Sequence, residues 1–72
     1  MKKRPMTRTE IAERKLKAAR AKAAMTQEDV AAVIGVTKSA ISRWEKDIDN
    51  VNFGDVLKLC RILDIDISDL AS

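Results

Sequence analysis

The chain contains no histidine and no tyrosine, one cysteine, one proline, two glycines and two aromatic residues, Trp44 and Phe53. Each shortage excludes something. Without histidine, the side chain best suited to proton transfer near neutral pH and to metal ligation is missing. A single cysteine, Cys60, allows neither an internal disulfide nor a cysteine-rich zinc site, which fits a reducing compartment. It sits in an apolar helical stripe without a nearby base and reads as a core residue rather than a nucleophile. So few glycines and prolines leave a β-rich domain without its turns, and no run alternates apolar with polar long enough for a sheet. There is no glycine-rich phosphate loop and no metal-ligand cluster, and Asp64 and Asp66 border a turn as caps rather than as an acid/base couple. The expectation is a protein that is not an enzyme and has no cofactor, metal or small-molecule ligand. No apolar run approaches the ~18 residues of a membrane span. The basic start Met1-Lys2-Lys3-Arg4 is not followed by the apolar stretch of a secretory signal, so a soluble, cytoplasmic protein with no membrane partner is expected.

What is present is helical and charged. Seventy-two residues suffice for one domain. The hydrophobic share is 46%, much of it alanine, which suits helices that approach closely. The net charge of +3 is unevenly spread. Residues 1–26 carry nine Lys/Arg against two Glu, residues 27–46 balance at three against three, and residues 47–72 hold two basic residues against six Asp. A cationic front on a small domain is the footprint of a polyanion binder, although charged helix faces are often merely solvated.

Residues 1–6, with Pro5 and the basic run Lys2-Lys3-Arg4, read as a flexible arm or, functionally, as a clamp on phosphates or the minor groove. Residues 7–72 form the domain. Thr7-x-x-Glu10 has the spacing of a helix-start capping box, predicting a first helix to about Ala24 with Ala12, Leu16, Ala19 and Ala23 on its inner face. Thr26-Gln27-Glu28-Asp29 repeats the cap before a short second helix that buries Val30, Ala31, Val33 and Ile34 and stops at Gly35. Thr37 caps a third helix from Lys38 to about Asp47 with Ile41 and the structural Trp44 inward. Residues 47–51 are a polar connector. Asn52 caps a fourth helix with Phe53, Val56, Leu57, Cys60 and Leu63 inward, and a brief fifth turn, capped by Asp66 or Ser68, ends at Leu70. No heptad register lasts, so the fold class is an all-α compact bundle of four to five short helices containing a helix-turn-helix.

The informative segment runs from Gln27 to Glu45. Two helices joined by a short glycine-containing turn, with the small Ala31 at their crossing and Ala40 and Ile41 seated against the first, set the second helix at a steep angle so that it protrudes. Its exposed positions are Lys38, Ser39, Ser42, Arg43 and Lys46, all cationic or hydrogen-bonding and none acidic.

Arg20, the run Met25-Thr26-Gln27, Ala31, Gly35-Val36, Ile41-Ser42, Trp44-Glu45 and the closing pattern Leu63-x-Ile65-x-Ile67-Ser68-x-Leu70 together resemble the lambda-repressor-like family of phage Cro and repressor helix-turn-helix domains, over roughly residues 9–70. The resemblance implies a DNA-binding fold in which Lys38, Ser39, Ser42 and Arg43 face base edges, with Arg43 the leading specificity residue because arginine bonds guanine O6/N7 with two hydrogen bonds, and with Lys38 open to the same contact or to a phosphate. It implies a phosphate contact from Gln27, which also reaches the recognition helix, and an ion pair between Arg20 and Glu45; Thr37, Lys46 and the connector amide of Asn50 are further candidate phosphate contacts. The connector departs from the family, holding Asp47, Ile48, Asp49 and Val51 in place of glycine, basic residues and proline; Asp47 and Asp49 would repel a phosphate backbone unless turned away. Ala24 stands where glycine is frequent. Ile48, Ile65, Ile67 and Leu70 exceed what so small a core needs, and form either a dimer patch or the closed bottom of the bundle.

Two functions follow from different classes. The first is a sequence-specific transcriptional regulator, a Cro-like repressor binding double-stranded DNA as a homodimer at inverted half-sites about 34 Å apart. The second is a protein-interaction module, such as an antitoxin or bridging factor, whose partner docks on the acidic C-terminal half. A pure adaptor has no need of Lys38, Arg43 and Lys46 on one exposed face.

Overall fold

The computed structural model of the protein describes residues 5–71. They form α1 (Arg8–Lys22), α2 (Gln27–Ile34), α3 (Lys38–Lys46), a 3-10 turn (Ile48–Asn50), α4 (Phe53–Leu63) and α5 (Ile67–Ala71). Among the described residues there is no strand and no helix long and apolar enough to cross a membrane. The basic arm residues Lys2, Lys3 and Arg4 lie outside them.

Helix starts follow side-chain chemistry. The Thr7 hydroxyl accepts from the Glu10 amide at 3.2 Å while the Glu10 carboxylate accepts from the Thr7 amide at 3.0 Å. The same reciprocal pair opens α2 between Thr26 and Asp29, at 3.1 and 2.9 Å. Thr37 caps α3 through the Ala40 amide at 3.1 Å, and Asn52 caps α4 through the Asp55 amide at 2.9 Å. Each satisfies an amide that a helix start otherwise leaves without a partner.

The ends of α1, α2 and α4 share one device. A residue in the left-handed region, Ala24 (φ 56), Gly35 (φ 89) or Asp64 (φ 54), turns the chain. The next amide then reaches back five residues: Met25 to the Arg20 carbonyl, Val36 to that of Ala31, Ile65 to that of Cys60. Met25, Val36 and Ile65 each pack half-buried against the core. This is the Schellman closure with its accompanying apolar contact, made once with glycine and twice without.

The core gathers Ala12, Leu16 and Ala19 of α1, Val30 and Ala31 of α2, Ile41 of α3, Ile48, and Val56, Leu59, Cys60, Leu63 and Leu70. α1 touches α3, α4, α5 and the 3-10 turn, so it serves as the spine on which the others are placed. Burial pushes the Cys60 thiol above its ordinary range, with Asp66 and Asp69 adding to the effect.

Several expectations need correction. α1 ends at Lys22, and Ala23, its right-handed C-cap, is exposed just before the chain turns left-handed at Ala24. Val33 and Phe53 are 63% and 66% exposed. Val33 lies beyond the stripe formed by Val30, Ala31 and Ile34, and Phe53 is the first residue of α4, before that helix reaches the core. The apolar position on α4 that fills the core is instead Leu59, 1% exposed. The connector is a 3-10 turn rather than a wholly polar loop, and it delivers Ile48 into the core. Ile48 and Leu70 are thus 7% and 6% exposed inside one copy of the chain, and only Ile65 and Ile67 of the four aliphatic residues stay half-exposed.

The left-handed residues give a paired test. At Ala24, substitution by glycine removes the steric cost of a Cβ in that region, so Ala24→Gly is expected to stabilise the fold by about 1 kcal/mol. Gly35→Ala meets no atom within 4 Å, yet is expected to cost about 1–2 kcal/mol through backbone strain alone. Urea unfolding of the two variants measures both signs.

Candidate nucleic-acid interface

α2 and α3 pack against each other across the turn Gly35-Val36-Thr37, and Ala31 of α2 is buried at 4% exposed. Ala40 and Ile41 turn α3 inward. At about 100° per residue, the remaining positions Lys38, Ser42, Lys46, Ser39 and Arg43 fall in that angular order within about 140° of the helix surface. Lys38, Ser39, Arg43 and Lys46 are exposed and Ser42 is half-buried. The structure therefore places the five on one outward strip.

What holds that strip in place is a buried carboxylate. Glu45 is 1% exposed, the charged member of an otherwise apolar interior. Arg20 of α1 donates to it twice, Nε to Oε2 at 2.5 Å and Nη2 to Oε1 at 3.3 Å, and Gln27 of α2 donates Nε2 to Oε1 at 3.0 Å. Arg20 also donates to the Met25 carbonyl at 3.4 Å, tying the α1–α2 turn into the same cluster. One carboxylate thus fixes the azimuth of α3 against both preceding helices, through charge-assisted bonds whose two-point geometry resists rotation. Gln27 keeps a second N–H on the same nitrogen, so its contact to Glu45 leaves a donor for a phosphate.

The first turns also differ in charge. α1 has Glu10 there, α2 Glu28 and Asp29, α4 Asp55 and α5 Asp69, each favourably placed against the positive end of its helix. α3 has no acidic residue in its first turn and begins with Lys38. That helix forgoes about 0.3–1 kcal/mol of dipole stabilisation and leaves its positive end uncompensated by a carboxylate of its own, the electrostatic arrangement that receives an anion.

The flanking residues are engaged with partners of the same chain. Lys38 Nζ stands 3.8 Å from Glu28 Oε1. Asn50 Nδ2 donates to Asp47 Oδ2 at 2.6 Å. Asp49 is turned to Arg8 at 2.5 Å, an exposed pair worth about 0–1 kcal/mol that directs this charge toward α1. The Thr37 oxygen accepts from the Ala40 amide, which leaves its O–H to donate elsewhere. Sequence reasoning did not single out Lys17, which lines the cleft between α1 and the start of α2 together with Arg20, Gln27, Glu28 and Lys38. The signal was its position three residues before Arg20 on the same helix face.

The clamp predicts an asymmetric mutational response. Arg20→Ala strands a buried carboxylate and is expected to cost about 3–5 kcal/mol, whereas Arg20→Met with Glu45→Met, which removes both charges, is expected to cost far less. Chemical denaturation of the single and double variants measures the difference. Similar losses in both would mean that packing, not charge, seats α3.

A helix-turn-helix family model matches residues 16–70, a span that contains α2, the turn, α3, α4 and nearly all of α5. Neither a curated protein nor a solved structure matches the chain. With the packed helix pair, the exposed cationic strip and the family match in agreement, the chain belongs to the lambda-repressor-like helix-turn-helix family of DNA-binding regulatory domains.

Proposed function

We propose that the protein is a sequence-specific regulator of transcription, a Cro-like repressor that binds an inverted-repeat operator as a homodimer. The observation that carries this reading is α3: an exposed strip of cationic and hydroxyl side chains with no carboxylate in its opening turn, on a helix locked by a buried ion pair. A helix kept only for packing has no reason to forgo the acidic first turn that its neighbours have.

In this mechanism α3 enters the major groove. Arg43 reads a guanine, Lys38 and Ser39 reach adjacent base edges, and Ser42, half-buried, contacts the groove wall. Gln27, Thr37, Lys46 and Asn50 bond phosphates that fix the register. For Asn50 this means exchanging Asp47 for a phosphate. Two copies related by a two-fold axis contact half-sites about one helical turn apart, and occupancy of a promoter excludes polymerase. Of the four aliphatic residues Ile48, Ile65, Ile67 and Leu70, Ile65 and Ile67 remain available to a second copy, since Ile48 and Leu70 already belong to the interior. The basic arm of Lys2, Lys3 and Arg4 adds phosphate or minor-groove contacts.

In vitro selection from random duplexes, repeated at two salt concentrations, is expected to enrich an inverted repeat that survives the higher salt; salt-sensitive binding without enrichment would refute base reading. On the enriched duplex, Arg43→Ala should cost about 1–3 kcal/mol and relax preference at one position, while Lys46→Ala should weaken all duplexes alike and lower the salt slope by about one. Ser39→Glu separates fold from function. It supplies the missing first-turn carboxylate and should stabilise the fold by about 0.3–1 kcal/mol, yet weaken duplex binding by about 1–3 kcal/mol. Thermal melts and anisotropy titrations read the two opposite signs.

A further inference from the structure

The end of α1 and the starts of α2 and α3 enclose an open cleft of about 600 Å³, lined by Lys17, Arg20, Thr26, Gln27, Glu28 and Lys38 among others. Its charged groups have distinct situations. Arg20 is bound by Glu45, and Lys17 Nζ lies 3.2 Å from Glu13 on the preceding turn. Lys38 and Glu28 face each other at 3.8 Å with side chains 60% and 73% exposed. The capping work of α2 is done by Thr26 and Asp29, so Glu28 has no part in the cap. A carboxylate on the rim of a cationic cleft weakens attraction for any polyanion, and its place opposite Lys38 calls for a reason.

We propose that Glu28 is a specificity-determining residue, which discourages Lys38 from binding whatever phosphate comes near and so reserves that lysine for a base edge. The inference rests on the DNA-reading role proposed above. Its physical basis is the difference between the two ligands of Lys38. A phosphate carries a full negative charge and is repelled by Glu28 as a charge. Guanine O6 and N7 are neutral acceptors and meet only a weaker charge–dipole interaction. With Glu28 in place the lysine loses more when it binds backbone than when it binds a base. Lys38 stands on the first turn of α3, where the helix's positive end would otherwise favour backbone anions of any sequence.

Glu28→Gln keeps the side chain's shape and removes its charge. Binding to a random-sequence duplex pool, followed by anisotropy over a range of salt, is expected to tighten at low salt with a log–log slope steeper by about 0.9, as one additional phosphate is neutralised. Between about 50 and 200 mM salt the variant should then lose roughly threefold more affinity than the wild type. In parallel selections the variant should lose preference at the base position that Lys38→Gln also relaxes, and Glu28→Gln should leave the slope unchanged in a Lys38→Gln background. Circular dichroism checks that the helix content of all variants is intact. An unchanged slope and unchanged preference would reduce Glu28 to a partner of the α2 dipole and overturn the proposal, as would an equal steepening without Lys38. If the wild-type protein bound no duplex even at low salt, the DNA-reading role itself would fall and this one with it. Normal wild-type binding with an unaltered variant overturns the role of Glu28 alone.

Discussion

A carboxylate removed from water must be matched by donors, and at Glu45 that requirement determines how the first three helices are assembled. An unpaired charge in this position would be prohibitive. Arg20 and Gln27 come from two different helices to meet it, and Met25 is drawn in through its carbonyl. The apolar contacts of Ala40 and Ile41 hold α3 against the bundle, but hydrophobic burial is non-directional and permits rotation about the helix axis. The bidentate arginine does not. The rotational setting of Lys38, Ser39 and Arg43, on which the proposed base reading depends, is therefore an electrostatic specification superimposed on an ordinary small core.

The rest of the fold supports that setting with short-range chemistry at helix ends. Four of the helices begin with a threonine or asparagine cap, and three end in the same left-handed closure, so that a chain of very short helices loses little backbone bonding at its many termini. Against this pattern the opening of α3 is the exception: capped by Thr37 but without an acidic partner in its first turn. Stability is relinquished at the start of the helix proposed to meet DNA. On either side of α3, Glu28 stands near Lys38 and Asp47 accepts from Asn50, so the edge residues already have partners that binding at the proposed interface would exchange.

Much of this was legible in the sequence because the signals are local. The Thr-x-x-Glu and Thr-x-x-Asp spacings fix the starts of α1 and α2, Gly35 fixes the end of α2, and the family resemblance suggested that Arg20 meets Glu45. Other features escaped because they depend on geometry that spacing does not encode. Ala24 and Asp64 adopt the left-handed conformation without being glycine, and the available clue was the apolar Met25 or Ile65 that follows each. Leu59 and Phe53 exchanged places as core residues because Phe53 opens α4 before that helix reaches the core, whereas Leu59 lies where the helix is covered. Ile48 read as surplus because nothing in Asp-Ile-Asp-Asn announces a 3-10 turn that carries one residue inward. The partners of Lys38 and Asn50, and the turning of Asp49 to Arg8, belong to tertiary placement alone.

The most direct measurement is an NMR titration of the protein with a short DNA duplex, following backbone amides residue by residue. If α3 is the reading helix in the pose fixed by Glu45, the largest shifts will fall on Gln27 and Glu28, on Lys38 to Arg43 and on Asn50, while the side-chain signal of Arg20 that reports the clamp stays in place. Shifts concentrated on α4 and α5, or loss of the Arg20 signal on binding, would contradict a preset recognition helix.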